Sequence, residues 1–235
     1  MEEKKTTFTH LHTHSHYSLL NALPKIPDLI AEAKKDGMTA LALTDNCNLY
    51  GAIEFYIACK KKDIKPIIGI DAYVAIRSRH DKQSIDKDRH RLVLLAKNDT
   101  GYKNLIKLVT IAHLEGFYYK PRIDREVLEA HKDGLICLSG CLAGQFNQFI
   151  LQDKIADAEK LAKYFAKTFK NNFYIEIQAN GLSLQEQCTP VAADIAEKIG
   201  VPLVATADAH YLEATDAIAH DIYFCINTKR LHDPR

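Results

Sequence analysis

The chain of 235 residues contains 47% hydrophobic and 26% charged residues, the balance of an ordinary globular protein with an apolar core. Its formal net charge of +1 excludes the strong overall basic field of many nucleic-acid-binding proteins, although a local patch around Lys120 and Arg122 stays open. No stretch approaches the ~20 apolar residues of a membrane-spanning helix, and no signal-peptide core is expected. The six cysteines lack framework spacing, which indicates reduced thiols and a cytoplasmic location.

Short apolar or β-branched runs alternate with amphipathic helical segments along the chain. The predicted strands are residues 8–12, 39–44, 66–76, 92–96, 135–139, 173–178 and 203–206. The predicted helices are residues 26–35, 49–62, 102–114, 125–131, 154–170, 185–199 and 216–226, with Pro190 starting or kinking the sixth. This alternation, without repeat or linker, predicts one α/β domain whose parallel sheet closes or nearly closes as a barrel. An open doubly wound sheet is the alternative, but it would have a glycine-rich turn after the first strand, where this chain has histidines.

Four histidines alternate with other residues in the run His10-Leu11-His12-Thr13-His14-Ser15-His16. In an extended strand, alternate side chains leave the backbone on the same side, so the four imidazoles could share one face. Histidine is the commonest ligand of transition metals, and the spacing therefore predicts a metal site that includes His12 and His14. We expect His10 and His16 to be polar residues that flank it.

Further polar residues stand where other predicted strands end. Asp45 and Asn46 follow the second strand, Asp71 lies inside the third, Cys141 follows the fifth, and Asp208 and His210 follow the seventh. Because the site of a β/α barrel lies at the C-terminal ends of its strands, we expect these side chains to meet the histidines there. Imidazole, carboxylate and thiolate together suit zinc or manganese, and neighbouring ions could act on a phosphoester. The alternative is that each acid only caps the helix that follows it.

Three motifs make the chain resemble the polymerase-and-histidinol-phosphatase (PHP) domains. They are His12-Thr13-His14-Ser15-His16-Tyr17-Ser18, Leu43-Thr44-Asp45 and Asp208-Ala209-His210-Tyr211. Within that superfamily, residues 65–69, 94–105 and 116–124 are similar to the N-terminal domain of bacterial DNA polymerase III alpha subunits. The resemblance implies a distorted (β/α)7 barrel of the PHP type, with a trinuclear metal site at the C-terminal ends of the strands.

The resemblance also implies a domain organisation and partners. Residues 1–235 would be a single PHP domain of a longer DNA-directed DNA polymerase, and residues 227–235 would begin the connector to the next domain. The expected partners are the remainder of the alpha subunit, DNA through that parent chain, and a proofreading exonuclease subunit. No membrane partner is expected.

Carried over position by position, the family's ligand pattern falls on six residues able to bind a metal: His12, His14, Asp71, Cys141, Asp208 and His210. Asp71 stands where glutamate is usual and is one methylene shorter. Three further positions carry other residues, with Asn21 in place of aspartate and Asn46 and Arg91 in place of histidines. His90 neighbours the last of these, but successive residues of a strand point to opposite faces.

The substitutions predict a partly eroded metal site. A carboxamide is a weaker ligand than the residue it replaces, and a guanidinium opposes metal binding directly. Arg91 could instead substitute its own charge for that of a metal and brace Asp71 or Asp208 in a salt bridge. We therefore expect at most one or two zinc or manganese ions at reduced occupancy, with no bound metal as the other expectation.

These expectations lead to three functional hypotheses. The preferred one is a PHP domain in DNA replication with a mainly structural and docking role and weak or no 3′–5′ exonuclease activity. The first alternative is an active, metal-dependent 3′–5′ proofreading exonuclease. The second is a stand-alone PHP phosphoesterase such as a histidinol-phosphate phosphatase, which the stretch 116–124 disfavours.

Overall fold

The structure is a computed structural model that describes residues 8–231. Within that range the strands are β1 (Ala40–Leu43), β2 (Lys65–Ala75), β3 (Arg89–Ala96), β4 (Arg122–Ile123), β5 (Leu135–Leu138), β6 (Phe173–Gln178) and β7 (Leu203–Thr206). The helices are α1 (Ile26–Lys35), α2 (Ala52–Lys61), α3 (Asp99–Leu114), α4 (Arg125–Ala130), α5 (Gln145–Leu151), α6 (Ile155–Phe169), α7 (Ser183–Ile199) and α8 (Ala217–Thr228). The predicted α/β class is confirmed.

One strand breaks the parallel order that the sequence predicts. The sheet runs β1-β2-β3-β5-β6-β7, with β4 beside β2, and β3 is antiparallel to both of its neighbours. Parallel neighbours need a crossover, usually a helix, whereas the only helical turn between β2 and β3 is the 3-10 turn Ser84–Lys87. The expectation of an all-parallel sheet is therefore wrong at β3.

The predicted first strand, residues 8–12, is not a regular strand, but the segment 10–14 lies between the two ends of the sheet. On one side the Thr44 N–H donates to the Thr13 carbonyl oxygen at 2.8 Å, and on the other the His14 N–H donates to the Ala209 carbonyl oxygen at 2.9 Å. This segment therefore links β1 to the chain that follows β7. It brings the histidine run to the ends of both strands.

The core follows from the helical periodicity. In α1 the residues Ile26, Leu29, Ile30 and Ala33 are buried, as their spacing predicts, and pack with β1 and α2. The largest apolar cluster fills the space between the sheet and helices α3, α6 and α7. Pro190 lies inside α7, so it does not start that helix.

Arg122 in β4 is fully buried, although the sequence leaves open that it belongs to a surface patch. Its guanidinium donates hydrogen bonds to the backbone carbonyl oxygens of Arg79, Asp81, Asp86 and Gly116, at 2.8 to 3.0 Å. Because a buried charge needs such partners, Arg122 ties the β2–β3 connection to the end of α3. Arg122 is therefore not part of an exposed basic patch, a possibility that the sequence left open.

No helix within residues 8–231 combines the length and apolar character that crossing a membrane would require. Helix α8 extends to Thr228, so the expected connector at 227–235 begins inside this helix. Residues 232–235 of that connector lie outside the described residues.

Candidate metal centre

Four of the six predicted ligands come together at one end of the sheet. His12 and His14 extend from the segment that closes the sheet, Asp71 lies within β2, and Asp208 follows β7. One ligand atom of each lies within 4.8 Å of those of the others. Three of these side chains are fully buried, and that of Asp208 is 16% exposed.

His12 is held by carboxylates at both ring nitrogens. Its Nδ1 lies 2.7 Å from Glu176 Oε1, while its Nε2 lies 3.3 Å from Asp71 Oδ2 and 3.2 Å from Asp208 Oδ1. Burial by itself lowers the pKa of His12, but Asp208, Glu176 and Asp71 outweigh it and raise that pKa well above 6.5. In the absence of a cation, His12 is therefore protonated at neutral pH.

His14 is arranged differently, since its Nδ1 lies 3.0 Å from the hydroxyl of Ser18. The Ser18 hydroxyl donates to the Asp45 carboxylate at 2.6 Å, so His14 Nδ1 is the donor to Ser18. Burial, followed by the charge of His210, lowers the pKa of His14 to about 4. Its Nε2 therefore presents a lone pair at neutral pH, 3.0 Å from an oxygen of Asp208.

Arg91 forms an ion pair with Asp71 Oδ2. Burial would raise the pKa of Asp71, but the Arg91 charge and the hydrogen bond from His12 hold it below its ordinary value. The Arg91 side chain is 15% exposed, and its guanidinium carbon lies 5.0 Å from the centre of the Tyr73 ring. Arg91 therefore neutralises one of the two carboxylates that a metal would use.

Glu176 is a functional residue that the sequence analysis missed. It lies in β6, is 1% exposed, and accepts hydrogen bonds from the Thr206 hydroxyl and, at 3.2 Å, from the Gln178 amide. A carboxylate that orients a ligating histidine through its second ring nitrogen is a common support of metal sites. The available signal was an acid between Ile175 and Ile177 in an apolar strand, the same signal that identified Asp71.

The other two predicted ligands, Cys141 and His210, border this group. The His210 ring centre lies 4.3 Å from that of His14, and its Nδ1 donates to the Asp208 carbonyl oxygen at 2.8 Å. Burial, followed by the charges of Asp208 and Asp71, raises the pKa of the Cys141 thiol well above 9.0. Without a cation, Cys141 is therefore a thiol. The ligand roles of all six residues stay predictions.

Two of the substituted positions have other neighbours. The Asn21 side-chain oxygen accepts a hydrogen bond from the Asn227 amide at 3.0 Å, which ties this turn to α8. Asn46 pairs with Asp71 through the backbone, and the two polar atoms of its side chain are buried and have no hydrogen-bond partner among residues 8–231. His90 interacts with the charges of Asp88 and Arg125, consistent with a side chain that points away from Asp71.

The residues that flank the group of four differ in their contacts. Asp45 does not cap a helix but accepts hydrogen bonds from the Ser15 N–H and hydroxyl, each at 2.8 Å, and so fixes the histidine segment. His10 and His16 lie outside the group of four. Their Nδ1 atoms are buried and have no hydrogen-bond partner in the part of the chain that the structure describes.

This arrangement fits a divalent cation. Both histidines engage Nδ1 with a supporting side chain and turn Nε2 toward Asp71 and Asp208. Asp71 Oδ1 is buried and lacks a hydrogen-bond partner within residues 8–231, so one carboxylate oxygen is available. A cation held by His12, His14, Asp71 and Asp208 would act as a Lewis acid and lower the pKa of bound water. Glu176 and Ser18 would orient the two imidazoles.

The sequence of this chain matches a known protein family. A model of the PHP domain family matches residues 10–180. This chain belongs to the PHP domain family. The predicted family and the predicted PHP-type fold are confirmed.

The curated relatives of this PHP domain are much longer proteins. It is 48% identical to the DNA polymerase III subunit alpha of Borreliella burgdorferi over 226 residues, which cover 95% of this chain and 20% of the relative. The corresponding subunit of Thermus aquaticus is 46% identical over 98% of this chain and 19% of its own length. This PHP domain therefore spans about a fifth of these relatives.

Solved structures of distant proteins share the fold. An amidohydrolase from Chromobacterium violaceum aligns over 86% of this chain and 87% of its own, with a TM-score of 0.53 and 15% identity. A protein assigned as a metal-dependent phosphoesterase from Bifidobacterium adolescentis aligns over 87% of this chain and 88% of its own, with a TM-score of 0.52 and 12% identity. At such identities the similarity concerns the fold of the PHP domain alone.

Proposed function

We propose that this PHP domain acts in DNA replication as part of a DNA polymerase III alpha subunit, in the cytoplasm, with a mainly structural and docking role. In this role its metal site is partly eroded, and its 3′–5′ exonuclease activity is weak or absent. The observation that carries the proposal is the ion pair between Arg91 and Asp71, because it places a permanent cation where a metal would need the carboxylate.

The surface of α8 supports the structural part of the proposal. Ile218, Ile222, Phe224 and Ile226 of this helix are each at least 43% exposed. Exposed apolar side chains in such density are typical of a surface that packs against other protein. The longer relatives suggest the partner, which is the rest of the alpha subunit. A separate proofreading exonuclease subunit is a further proposed partner.

An active metal-dependent 3′–5′ exonuclease is the second candidate function. It is favoured by the pairing of His12 with Glu176 and of His14 with Ser18, since these contacts prepare both imidazoles for a cation. Zinc or manganese would suit the four ligands. The two candidates differ in how much metal the site holds.

Metal content and nuclease activity together test the proposal. We expect the 235-residue chain, purified without chelators, to hold less than one zinc or manganese ion per chain by elemental analysis. It should then leave a 3′-labelled primer largely intact. Full occupancy together with rapid, chelator-sensitive primer degradation would contradict the eroded site and favour the active exonuclease.

Restoring ligands provides the matched comparison. Arg91→His combined with Asn46→His should raise metal occupancy, because it removes the competing cation and adds two imidazoles. Asn21 is left unchanged because its side chain holds α8. Arg89→His is the control, since Arg89 lies two positions before Arg91 on the same strand and forms no ion pair with Asp71. If metal occupancy fails to rise in the restored variant, or rises as much in the control, the assignment of positions 46 and 91 is wrong.

A further inference from the structure

A cleft of about 930 Å³ lies beside the metal group. It is bordered by β3, by the turn at residues 118–120 and by the end of α8. Asn21 and Arg91, two of the substituted ligand positions, are part of its wall. The cleft therefore adjoins the metal group at positions where Asn21 and Arg91 replace the expected metal ligands.

Four basic side chains line the cleft, those of Lys87, Arg89, Arg91 and Lys120, and among residues 8–231 its wall contains one carboxylate, that of Asp88. Arg89 donates to the Lys87 carbonyl oxygen at 2.7 Å, while its buried Nε has no hydrogen-bond partner among residues 8–231. Burial lowers the pKa of Lys120, and the charges of Arg89 and Arg91 lower it further. The cleft therefore concentrates positive charge in a chain whose overall charge is close to zero.

Two aromatic rings accompany these cations. The Arg89 guanidinium carbon lies 5.1 Å from the centre of the Tyr73 ring, and Lys87 Nζ lies 5.0 Å from the centre of the Tyr119 ring. Tyr119 is 60% exposed and has a φ of +60°, a conformation that costs a residue with a side chain about 1 kcal/mol or more. The turn at residues 118–120 therefore holds the exposed Tyr119 ring at the edge of the cleft, although the backbone of Tyr119 is strained.

We propose that this cleft binds single-stranded nucleic acid, with backbone phosphates on Lys87, Arg89 and Lys120 and a base stacked on Tyr119. Grooves that combine cations for the backbone with aromatic platforms for the bases are how proteins bind single strands without sequence preference. The choice of DNA over RNA rests on the proposed function. The binding itself needs no hydrolysis, so it extends to a domain whose metal site is eroded.

Fluorescence anisotropy with a labelled oligothymidylate of about ten nucleotides tests the proposal, since such sites cover about 4–16 nucleotides. The 235-residue chain is titrated in the presence of a chelator, which separates binding from any metal-dependent cleavage. Each phosphate contact with a single strand contributes about −0.7 to the slope of log K against log salt. Lys87→Ala with Lys120→Ala should therefore weaken binding about 25-fold at 0.1 M salt and reduce the slope by about 1.4.

The control variant is Lys60→Ala with Lys61→Ala, which removes the same charge from the exposed end of α2. It should bind like the unchanged chain. Tyr119→Ala should weaken binding about fivefold or more and Tyr119→Phe should not, because a stacked base is worth about 1–3 kcal/mol. Circular dichroism checks that each variant is folded.

Equal losses in both double-lysine variants would overturn the proposal, because binding would then follow overall charge. It would also be overturned if thymidine monophosphate bound as tightly as the oligonucleotide, which would indicate a site for a single phosphate. An oligouridylate that binds more tightly than the oligothymidylate would overturn the choice of DNA, and weaker binding would support it. None of these results depends on metal occupancy, so failure here is distinguishable from failure of the proposed function.

Discussion

Replacing Arg91 with methionine isolates the interaction on which the eroded-site proposal rests. Methionine retains the apolar stem of the side chain but removes the guanidinium that lies near Tyr73, and with it the charge that faces Asp71. Asp71 is 0% exposed and would lose the charge that most strongly offsets its burial. We expect the metal-free protein to lose stability, and we expect a divalent cation to restore much of it.

The magnitude follows from the burial of the pair. Removing one partner of a buried ion pair costs about 3–5 kcal/mol, because the remaining charge is uncompensated. His12 stays 3.3 Å from Asp71 Oδ2 and compensates in part, so the lower end, about 3 kcal/mol, is expected. Zinc at about 100 times its dissociation constant should return about 2.7 kcal/mol.

Urea denaturation followed by circular dichroism measures both effects, once with a chelator and once with added zinc. The matched control is Arg89→Met, the same substitution on the same strand and beside the same Tyr73 ring, at 5.1 Å. We expect the control to cost less than about 1 kcal/mol, the range of surface changes. If the two variants are equally stable in chelator, or if zinc stabilises neither, then Arg91 does not take the place of a cation.

Three further predictions concern the site and the fold. Glu176→Gln should weaken zinc binding about 10- to 100-fold in calorimetric titration, because His12 loses the carboxylate that orients it. Glu186→Gln, at an exposed position, is the control and should leave the affinity unchanged. Equal affinities of the two variants would contradict the supporting role of Glu176. Because the pKa of His12 lies above 6.5 despite its burial, zinc must displace a proton from this histidine to bind it. The affinity for zinc should therefore rise with pH through neutrality. An affinity that does not change with pH would contradict the assignment of His12 as a ligand. Arg122→Met should lower the free energy of unfolding by about 4 kcal/mol or more, because four hydrogen bonds from a buried charge are lost. Arg125→Met, at an exposed position, is the control and should cost less than about 1 kcal/mol. Similar losses in the two variants would refute the structural role of Arg122.

Much of the fold could be predicted because its signals are local. The spacing of apolar residues in α1 and the β-branched run of β2 lie within contiguous stretches, and their periods indicate helix and strand directly. Helix α5 was missed because it begins after Gly144 without a side-chain cap and has no acid in its first turn, whereas the equally short α4 begins after the N-cap Asp124. The direction of β3 was also missed, since pairing depends on the connection that precedes it.

The sequence by itself determined the α/β class, the histidine pair at one end of the sheet, and the acids in β2 and after β7 as their expected neighbours. Only the tertiary structure decided that Glu176 supports His12, 164 positions away, and that Asn21 is tied to α8. It also paired Arg91 with Asp71 and buried Arg122. The physical reason is that a ligand type is a property of one residue, whereas its charge balance depends on the groups that folding packs around it.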